Sequence, residues 1–450
     1  MSRFVPVDRD TAYLLPPSVD EWLPNDHLAR FVVEVIEQLD LSELTRQYAG
    51  RGSAAHHPAV LLGLLIYGYA NGVHSSRKIE RATYDSVAFR FVAANTHPDH
   101  DTLATFRRRF LKEVETLFVQ VLVLAREMKL LKLGTIALDG TKIDANASKH
   151  KALSWAHANK VEAQLRQEVQ TLLALAENND CKAIPDGMDV PAEIARREDR
   201  LSAIAQAKAK IEQRAAERHE VEQQEYEAKS AKRKAQREAG KKPRGKDPEP
   251  PSAGPRSSEQ VNLTDEESRI MPVSGGGFEQ SYNAQAGVDI ETMMVVTQHV
   301  SQACNDKREV VPTLKQIQSL PEVLGEVKLL IADNGFFSEA NVIACSVAGV
   351  DPLLSLKRDS HHMPVMERFA PDAPESQGTP VERMAHRLHT QAGRALYGLR
   401  KQTVEPVFGI IKRVMGWRQM SMRGLAKAQG EWSLVTMAWN IKRMHVLRAA

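Results

Sequence analysis

Two short apolar stretches of the chain each end in an aspartate that is followed by turn residues. Asp139 closes the run IAL and precedes Gly140. Asp333 closes the run LLIA and precedes Asn334 and Gly335. Short apolar runs bounded by such residues are typical of buried strands. They alternate with helical patterns, which predicts an α/β layer architecture. Asp-Gly and Asp-Asn-Gly are also common turn sequences, so either aspartate alone is equally consistent with a simple turn.

A third acid stands alone among cations near the C-terminus. Glu405 is the one carboxylate in LRKQTVEPVFGIIKRVMGWR, residues 399–418. The cations of this stretch are Arg400, Lys401, Lys412, Arg413 and Arg418. Mg²⁺ takes oxygen ligands from a few carboxylates and from substrate phosphates, and a pair of such ions can drive cleavage of a phosphodiester. The pattern therefore favours a metal site made by Asp139, Asp333 and Glu405, with neighbouring cations on DNA phosphates. A solvated helix face is the alternative for Glu405.

Charge and periodicity divide the chain into three parts. Residues 1–130 show helical patterns and are predicted to form an N-terminal domain that binds DNA. Residues 154–261 alternate in charge around a thin apolar seam and end in a Pro- and Gly-rich stretch. This composition is typical of an inserted helical hairpin or coiled coil with a flexible linker. Residues 131–153 and 262–450 form the predicted catalytic domain on either side of the insertion.

The N-terminal part contains one basic helix of particular interest. HPDHDTLATFRRRF begins with a capping signal and carries Arg107, Arg108 and Arg109. A helix with a basic face suits docking in a DNA groove. A plain helical bundle with solvated charges remains the alternative for this segment.

Length and composition fit a soluble protein of the cytosol. The 450 residues suffice for two or three domains of about 100–200 residues each. No apolar run reaches the roughly 18 residues of a membrane span. The three cysteines form no CxxC pair, which fits a reducing compartment. We expect a cytoplasmic protein without a membrane partner.

Several segments together resemble the insertion-sequence transposases of the DDE superfamily, which have a ribonuclease-H-like core. IALDGTKIDANASK resembles the segment of their first catalytic Asp, LLIADNGFFS that of the second, and RKQTVEPVFGIIK the helix of the Glu. HPDHDTLATFRRRF is similar to part of the domain that precedes the core. The resemblance covers nearly the whole chain apart from the charged insertion. It implies a ribonuclease-H-like mixed sheet with flanking helices, an all-α N-terminal domain and an inserted helical hairpin or coiled coil.

The resemblance also implies roles for single residues. The catalytic, metal-binding triad would be Asp139, Asp333 and Glu405. Lys412 matches the family's lysine seven positions after the Glu. Tyr397 and Arg400 each sit one position earlier than the family's tyrosine and arginine, and Lys401 stands where that arginine would fall. The predicted DNA-binding residues are Lys412, Lys401, Arg400, Tyr397, Arg413, Arg107, Arg108 and Arg109. Four further polar residues, Asp144, Asn146, Lys149 and Asp306, are considered as lining residues but are not included in the predicted site.

The implied activity is that of a DNA transposase. It would bind the terminal inverted repeats of its element and use Mg²⁺, with Mn²⁺ as an alternative, to cut DNA and join it to a target. The implied partners are double-stranded DNA and further copies of the chain, as a homodimer or higher multimer. A ribonuclease-H-like nuclease without strand transfer and an inactive DNA-binding remnant are the alternatives.

Overall fold

The chain forms two compact units, residues 1–144 with 282–450 and residues 145–281. The computed structural model describes residues 18–48, 55–177, 188–240, 243, 245–273, 275–356 and 378–449. In these ranges no helix is long and apolar enough to cross a bilayer. The domain boundaries given above stay a prediction.

Helices make up most of the described structure. They are α1 (Leu28–Glu37), α2 (Ser42–Arg46), α3 (Pro58–Ala70), α4 (Ser76–Asp85), α5 (Val87–Val92), α6 (His100–Arg109), α7 (Leu111–Glu127), α8 (Trp155–Glu177), α9 (Val190–Glu238), α10 (Val310–Ser319), α11 (Glu339–Val347), α12 (Pro380–His389), α13 (Gln391–Gly409) and α14 (Leu425–Ala449). The strands are β1 (Thr135–Asp144), β2 (Ala152–Ser154), β3 (Gln260–Asn262), β4 (Arg269–Pro272), β5 (Phe278–Asp289), β6 (Val295–Ser301), β7 (Leu329–Ala332) and β8 (Asp351–Leu354).

A mixed sheet forms the centre of the first unit. β1 pairs with β7 and β7 with β8 in parallel, whereas β5 pairs antiparallel with β6. The order is β5-β1-β7-β8, with β6 on the outer side of β5. The apolar runs that predicted β1 and β7 are fully buried, as Ile136 and Leu330 show. The predicted α/β class with a mixed sheet, flanking helices and helical N-terminal region is confirmed.

One detail of the strand prediction is wrong. Asp139 does not end its strand, because β1 continues to Asp144. Two observations explain why the strand continues beyond Asp139. Ile143 is fully buried, and the Asp144 amide donates to the Arg418 carbonyl at 3.1 Å. Only the pairing with β7 stops before Asp139, at Leu138.

Helix α14 joins the sheet to the N-terminal helices. Its Asn440 side chain accepts from the Val295 amide at 2.8 Å and donates to the Val295 carbonyl at 2.7 Å, so it satisfies backbone groups of β6. On another face α14 packs against α3 and α7. There the buried Tyr69 hydroxyl donates to the Glu431 carboxylate at 3.3 Å. The N-terminal helices and the sheet therefore share one compact unit.

The second unit contains a pair of long helices, as predicted for the insertion. α8 and α9 pack through a cluster that includes Leu165, Ile204 and Ile211. Lys208 adds an ion pair with Glu162 at 2.7 Å. β2 pairs antiparallel with β3, and β4 pairs with residues 278–281. Of the predicted linker, the residues at 241, 242 and 244 lie outside the described structure.

The close contact between α7 and α14 generates a test of stability. A Cβ added at Gly430 would lie 2.5 Å from the Leu111 Cβ. Overpacking of this kind costs about 1–3 kcal/mol, more than the roughly 1 kcal/mol that alanine gains in a helix. We therefore expect Gly430→Ala to lower the urea midpoint of unfolding. The matched control is Gly398→Ala on α13, where the added Cβ meets no atom within 4 Å and stability should hold or rise. Equal midpoints for the two variants would contradict this packing.

Candidate active site

Asp139 and Asp333 lie side by side because β1 and β7 are parallel neighbours. Leu138 pairs with Ala332 at the end of the paired run, so the aspartate after each residue lies at the same edge of the sheet. Asp333 then caps a short 3₁₀ turn, and its Oδ1 accepts from the Gly335 amide at 2.8 Å. Parallel pairing thus brings two carboxylates together that are far apart in the chain.

The electrostatics of Asp139 reflect this crowding. Burial of the Asp139 carboxyl is the main cause that raises its pKa from 3.8 to about 7, and the neighbouring charges of Asp333 and Asp306 add to it. Arg400 and the Gly140 amide act in the opposite direction. Like charges held together in a partly desolvated place are typical of functional sites.

Arg400 connects these strands to the predicted glutamate. Its Nη1 lies 3.1 Å from Asp139 Oδ2 and its Nη2 lies 3.3 Å from Glu405 Oε1. Arg400 is mostly buried, whereas half of the Glu405 side chain is exposed. Burial alone would lower the pKa of Arg400, but the surrounding acids, Asp139 first, raise it. A single guanidinium therefore spans the two carboxylates and holds α13 against β1.

The rotation of α13 about its axis determines which of two neighbouring cations, Arg400 or Lys401, faces the acids. Arg400 points at the acids, while Lys401 is exposed. Tyr397 packs against a small cluster that contains Leu329 and Ile331 of the sheet. The one-residue offset from the family spacing therefore does not keep Arg400 away from the site.

Lys412 reaches the same strand from the turn that follows α13. Residues Ile410–Val414 form a π-helical turn, and the Lys412 Nζ donates to the Lys142 carbonyl at 2.8 Å. Burial is the main cause that lowers the pKa of Lys412. Arg413 is exposed. The predicted DNA contacts of Tyr397, Lys401, Lys412 and Arg413 stay predictions.

The three arginines of α6 occupy different environments. Arg107 turns inward and donates to the Tyr69 hydroxyl at 3.0 Å and to the His74 carbonyl at 3.2 Å. Arg108 and Arg109 are exposed, and the Arg109 guanidinium lies over the Tyr48 ring at 5.6 Å. Arg107 thus makes structural contacts within the protein. Arg108 and Arg109 are the exposed members of the triplet, and the predicted DNA contact would be made by these two side chains.

Two amides and one acid at this edge were not in the predicted site. Asn283 and Gln285 lie on one face of β5, are fully buried, and donate to Asp306 Oδ1 at 2.7 Å each. Lys142 Nζ lies 3.6 Å from the same oxygen. The signal in the sequence is the pair of amides at positions i and i+2 in the segment YNAQAGV, because amides that are buried in a strand need partners.

The donor types at this edge suit a hard divalent cation, because carboxylate oxygens are its preferred protein ligands. The pKa of Asp139 is raised by burial first and then by the negative charges of Asp333 and Asp306. Within the described ranges, however, no three His, Cys, Asp or Glu side chains converge closely enough to hold a metal ion. Arg400 lies between Asp139 and Glu405, so a metal shared by these two acids requires the guanidinium to move.

Comparison with known families finds two models that match the chain. The model described as "Transposase DDE domain" matches residues 258–441, a range that contains Asp333 and Glu405. The model described as "Transposase domain (DUF772)" matches residues 17–109. No curated protein and no solved structure matches the chain. Asp139 lies outside both matched ranges, and the β1–β7 pairing is what places it beside Asp333. The chain belongs to the DDE transposases, with a ribonuclease-H-like fold preceded by the N-terminal transposase domain.

Proposed function

We propose that this insertion-sequence transposase binds the terminal inverted repeats of its element in the cytoplasm and catalyses both DNA cleavage and strand transfer. The proposal depends on one observation: Asp139 and Asp333 lie side by side on neighbouring strands, and the Arg400 guanidinium connects Asp139 to Glu405. Carboxylate oxygens are the ligands that hard divalent cations prefer, and two Mg²⁺ or Mn²⁺ ions would be held by these three side chains once Arg400 has moved from between Asp139 and Glu405.

When bound at Asp139, Asp333 and Glu405, the ions would make a nucleophile available at neutral pH and would stabilise the leaving oxygen of the phosphodiester. Water attacks the phosphorus and releases a 3′-hydroxyl, which then attacks a phosphodiester of the target and displaces its 3′ oxygen. Water is the nucleophile of the first step and the 3′-hydroxyl that of the second, so no Ser or Tyr needs to form a covalent bond to DNA. One site therefore serves hydrolysis and joining in turn.

The surrounding cations hold and orient the DNA. Without DNA, Arg400 forms ion pairs with Asp139 and Glu405. When DNA binds, its guanidinium turns to a phosphate, for which its paired N–H donors are suited. Exposed Lys401 and Arg413 lie on the same helical region, and we assign them to the flanking backbone. Arg108 and Arg109 on α6 would contact the terminal repeat. Two DNA ends must meet for joining, so we propose a dimer or higher multimer on DNA.

Replacement of Asp333 tests the catalytic assignment. We expect Asp333→Ala to lower cleavage of an end-containing duplex at least about a hundredfold, since even groups that only support a metal ligand are worth about 10–100-fold. Binding to the same duplex, measured by gel shift, should stay near the unmodified value. Glu339→Gln, an exposed acid at the start of α11, is the matched control and should cut normally. Unchanged nicking by Asp333→Ala would reject the assignment.

Pre-cut ends distinguish transposase from simple nuclease. Given a duplex with a free 3′-hydroxyl at the repeat, the protein should produce joined target DNA in Mg²⁺. Cleavage of uncut ends without any joined product would instead favour a nuclease that lacks strand transfer.

The raised pKa of Asp139 predicts a pH dependence of stability. In the folded state the Asp139 carboxyl keeps its proton up to about pH 7, whereas its ordinary pKa, which applies in the unfolded state, is 3.8. The stabilisation from protonation is therefore fully present below about pH 4 and is lost as the pH rises towards 7. Asp139→Asn lacks this titration, so the melting temperature of the unmodified protein, relative to the variant, should fall between pH 4 and 7. Thermal scans in chelator across this range measure it, and parallel curves would contradict the burial and crowding of Asp139.

A further inference from the structure

Asp306 is held in place through one of its two carboxylate oxygens. The side-chain amides of Asn283 and Gln285 both donate to Oδ1 at 2.7 Å, and Lys142 Nζ lies 3.6 Å from it. Oδ2 receives no hydrogen bond from the part of the chain that the structure describes. The carboxylate is thus anchored at one end and available at the other.

The anchored end lies directly over the residue that follows Asp139. A Cβ at Gly140 would lie 2.3 Å from Gln285 Nε2 and 2.6 Å from Asp306 Oδ1. Real side chains do not fit at such distances, so the absence of a side chain at Gly140 is what lets Asp306 approach the strand. This gives a physical reason for glycine immediately after the first acid.

The free end is directed towards the second acid. A point one Cβ bond from Gly335 lies 2.9 Å from Asp333 Oδ1 and 3.7 Å from Asp306 Oδ2. Both oxygens therefore flank the same turn. Asp306 stands on the loop between β6 and α10, so a third segment of the chain brings a carboxylate to the edge shared by Asp139 and Asp333.

Two buried oxygens on the side chains that hold Asp306 point to a polar occupant. Asn283 Oδ1 and Gln285 Oε1 have no hydrogen-bond partner among the described residues, although both side chains are fully buried. Buried acceptors are rarely left unpaired. Mg²⁺ keeps several of its waters when it binds to protein, and such waters donate hydrogen bonds. Unpaired acceptors on the two residues that anchor Asp306 fit a hydrated cation.

We propose that Asp306 is a fourth carboxylate of the metal site, with Oδ1 fixed by Asn283 and Gln285 and Oδ2 serving as an oxygen ligand beside Asp333. The inference rests on the proposed metal-dependent function and adds a ligand to it. Asn283 and Gln285 act as positioning residues, because they orient the carboxylate and do not contact the DNA. With Asp306 included, four acids face the two cations Arg400 and Lys142.

Mn²⁺ binding to the full-length protein tests the role of Asp306 without relying on activity. Isothermal titration should show at least about tenfold weaker Mn²⁺ binding for Asp306→Asn, in line with the cost of losing metal-site support. The Mn²⁺ concentration for half-maximal cleavage should rise by a similar factor, and excess Mn²⁺ should restore the rate. Gel-shift affinity for end DNA should not change. If Asp306→Asn does not fold, Asp306→Ser takes its place with the same expected loss.

Two comparison variants make the outcome specific. Asp289→Asn removes a buried carboxylate from the far part of β5, where Asp289 accepts from Thr292, and should leave Mn²⁺ affinity unchanged. Asp333→Ala should lose Mn²⁺ binding. Normal Mn²⁺ affinity in Asp306→Asn together with loss in Asp333→Ala would overturn the fourth-ligand inference alone. Normal affinity in Asp333→Ala would overturn the proposed function itself.

Discussion

The parallel pairing of β1 with β7 is the constraint on which the site depends. It stops at Leu138 and Ala332, and so it forces the next two residues, both aspartates, to share one edge of a buried sheet. Burial is the main cause that raises the pKa of Asp139, and repulsion from the Asp333 carboxylate adds to it. In the folded state, cations from other segments of the chain offset this repulsion. Arg400 of α13 is one of them and forms an ion pair with Asp139.

Arg400 in turn fixes the position of the third acid. Its guanidinium lies between Asp139 and Glu405, so α13 and β1 are tied by the same charges that a divalent ion would use. Lys142 has a parallel role beside Asp306. The edge is therefore a set of acids compensated by side-chain cations, Arg400 and Lys142. In the proposed function, bound metal would supply the same positive charge and would leave Arg400 available for the phosphate at the cut position, while the DNA contacts away from the acids would still set the overall affinity for DNA.

The sequence predicts the parts of this site whose signals are local. The apolar runs before Asp139 and Asp333 predict buried strands, and the isolated Glu405 among cations marks the third acid. The direction in which a side chain points is harder to predict from the sequence. Arg107 has the same sequence signal as Arg108 and Arg109, yet it turns inward because the buried Tyr69 hydroxyl offers it a partner. The choice between Arg400 and Lys401 depends on the rotation of α13 about its axis, which spacing along the chain does not fix. The contacts of Asp306, which was considered only as a lining residue, could not be predicted because its partners, Asn283 and Gln285, lie more than twenty positions away on β5.

The most direct measurement of the central claim is anomalous diffraction at the manganese edge from crystals grown with an end-containing duplex and Mn²⁺. The account predicts a peak at the shared strand edge, about 2 Å from oxygens of both Asp139 and Asp333, as expected for a small divalent ion. Manganese bound only at other places on the protein, with this edge still bridged by Arg400, would contradict it.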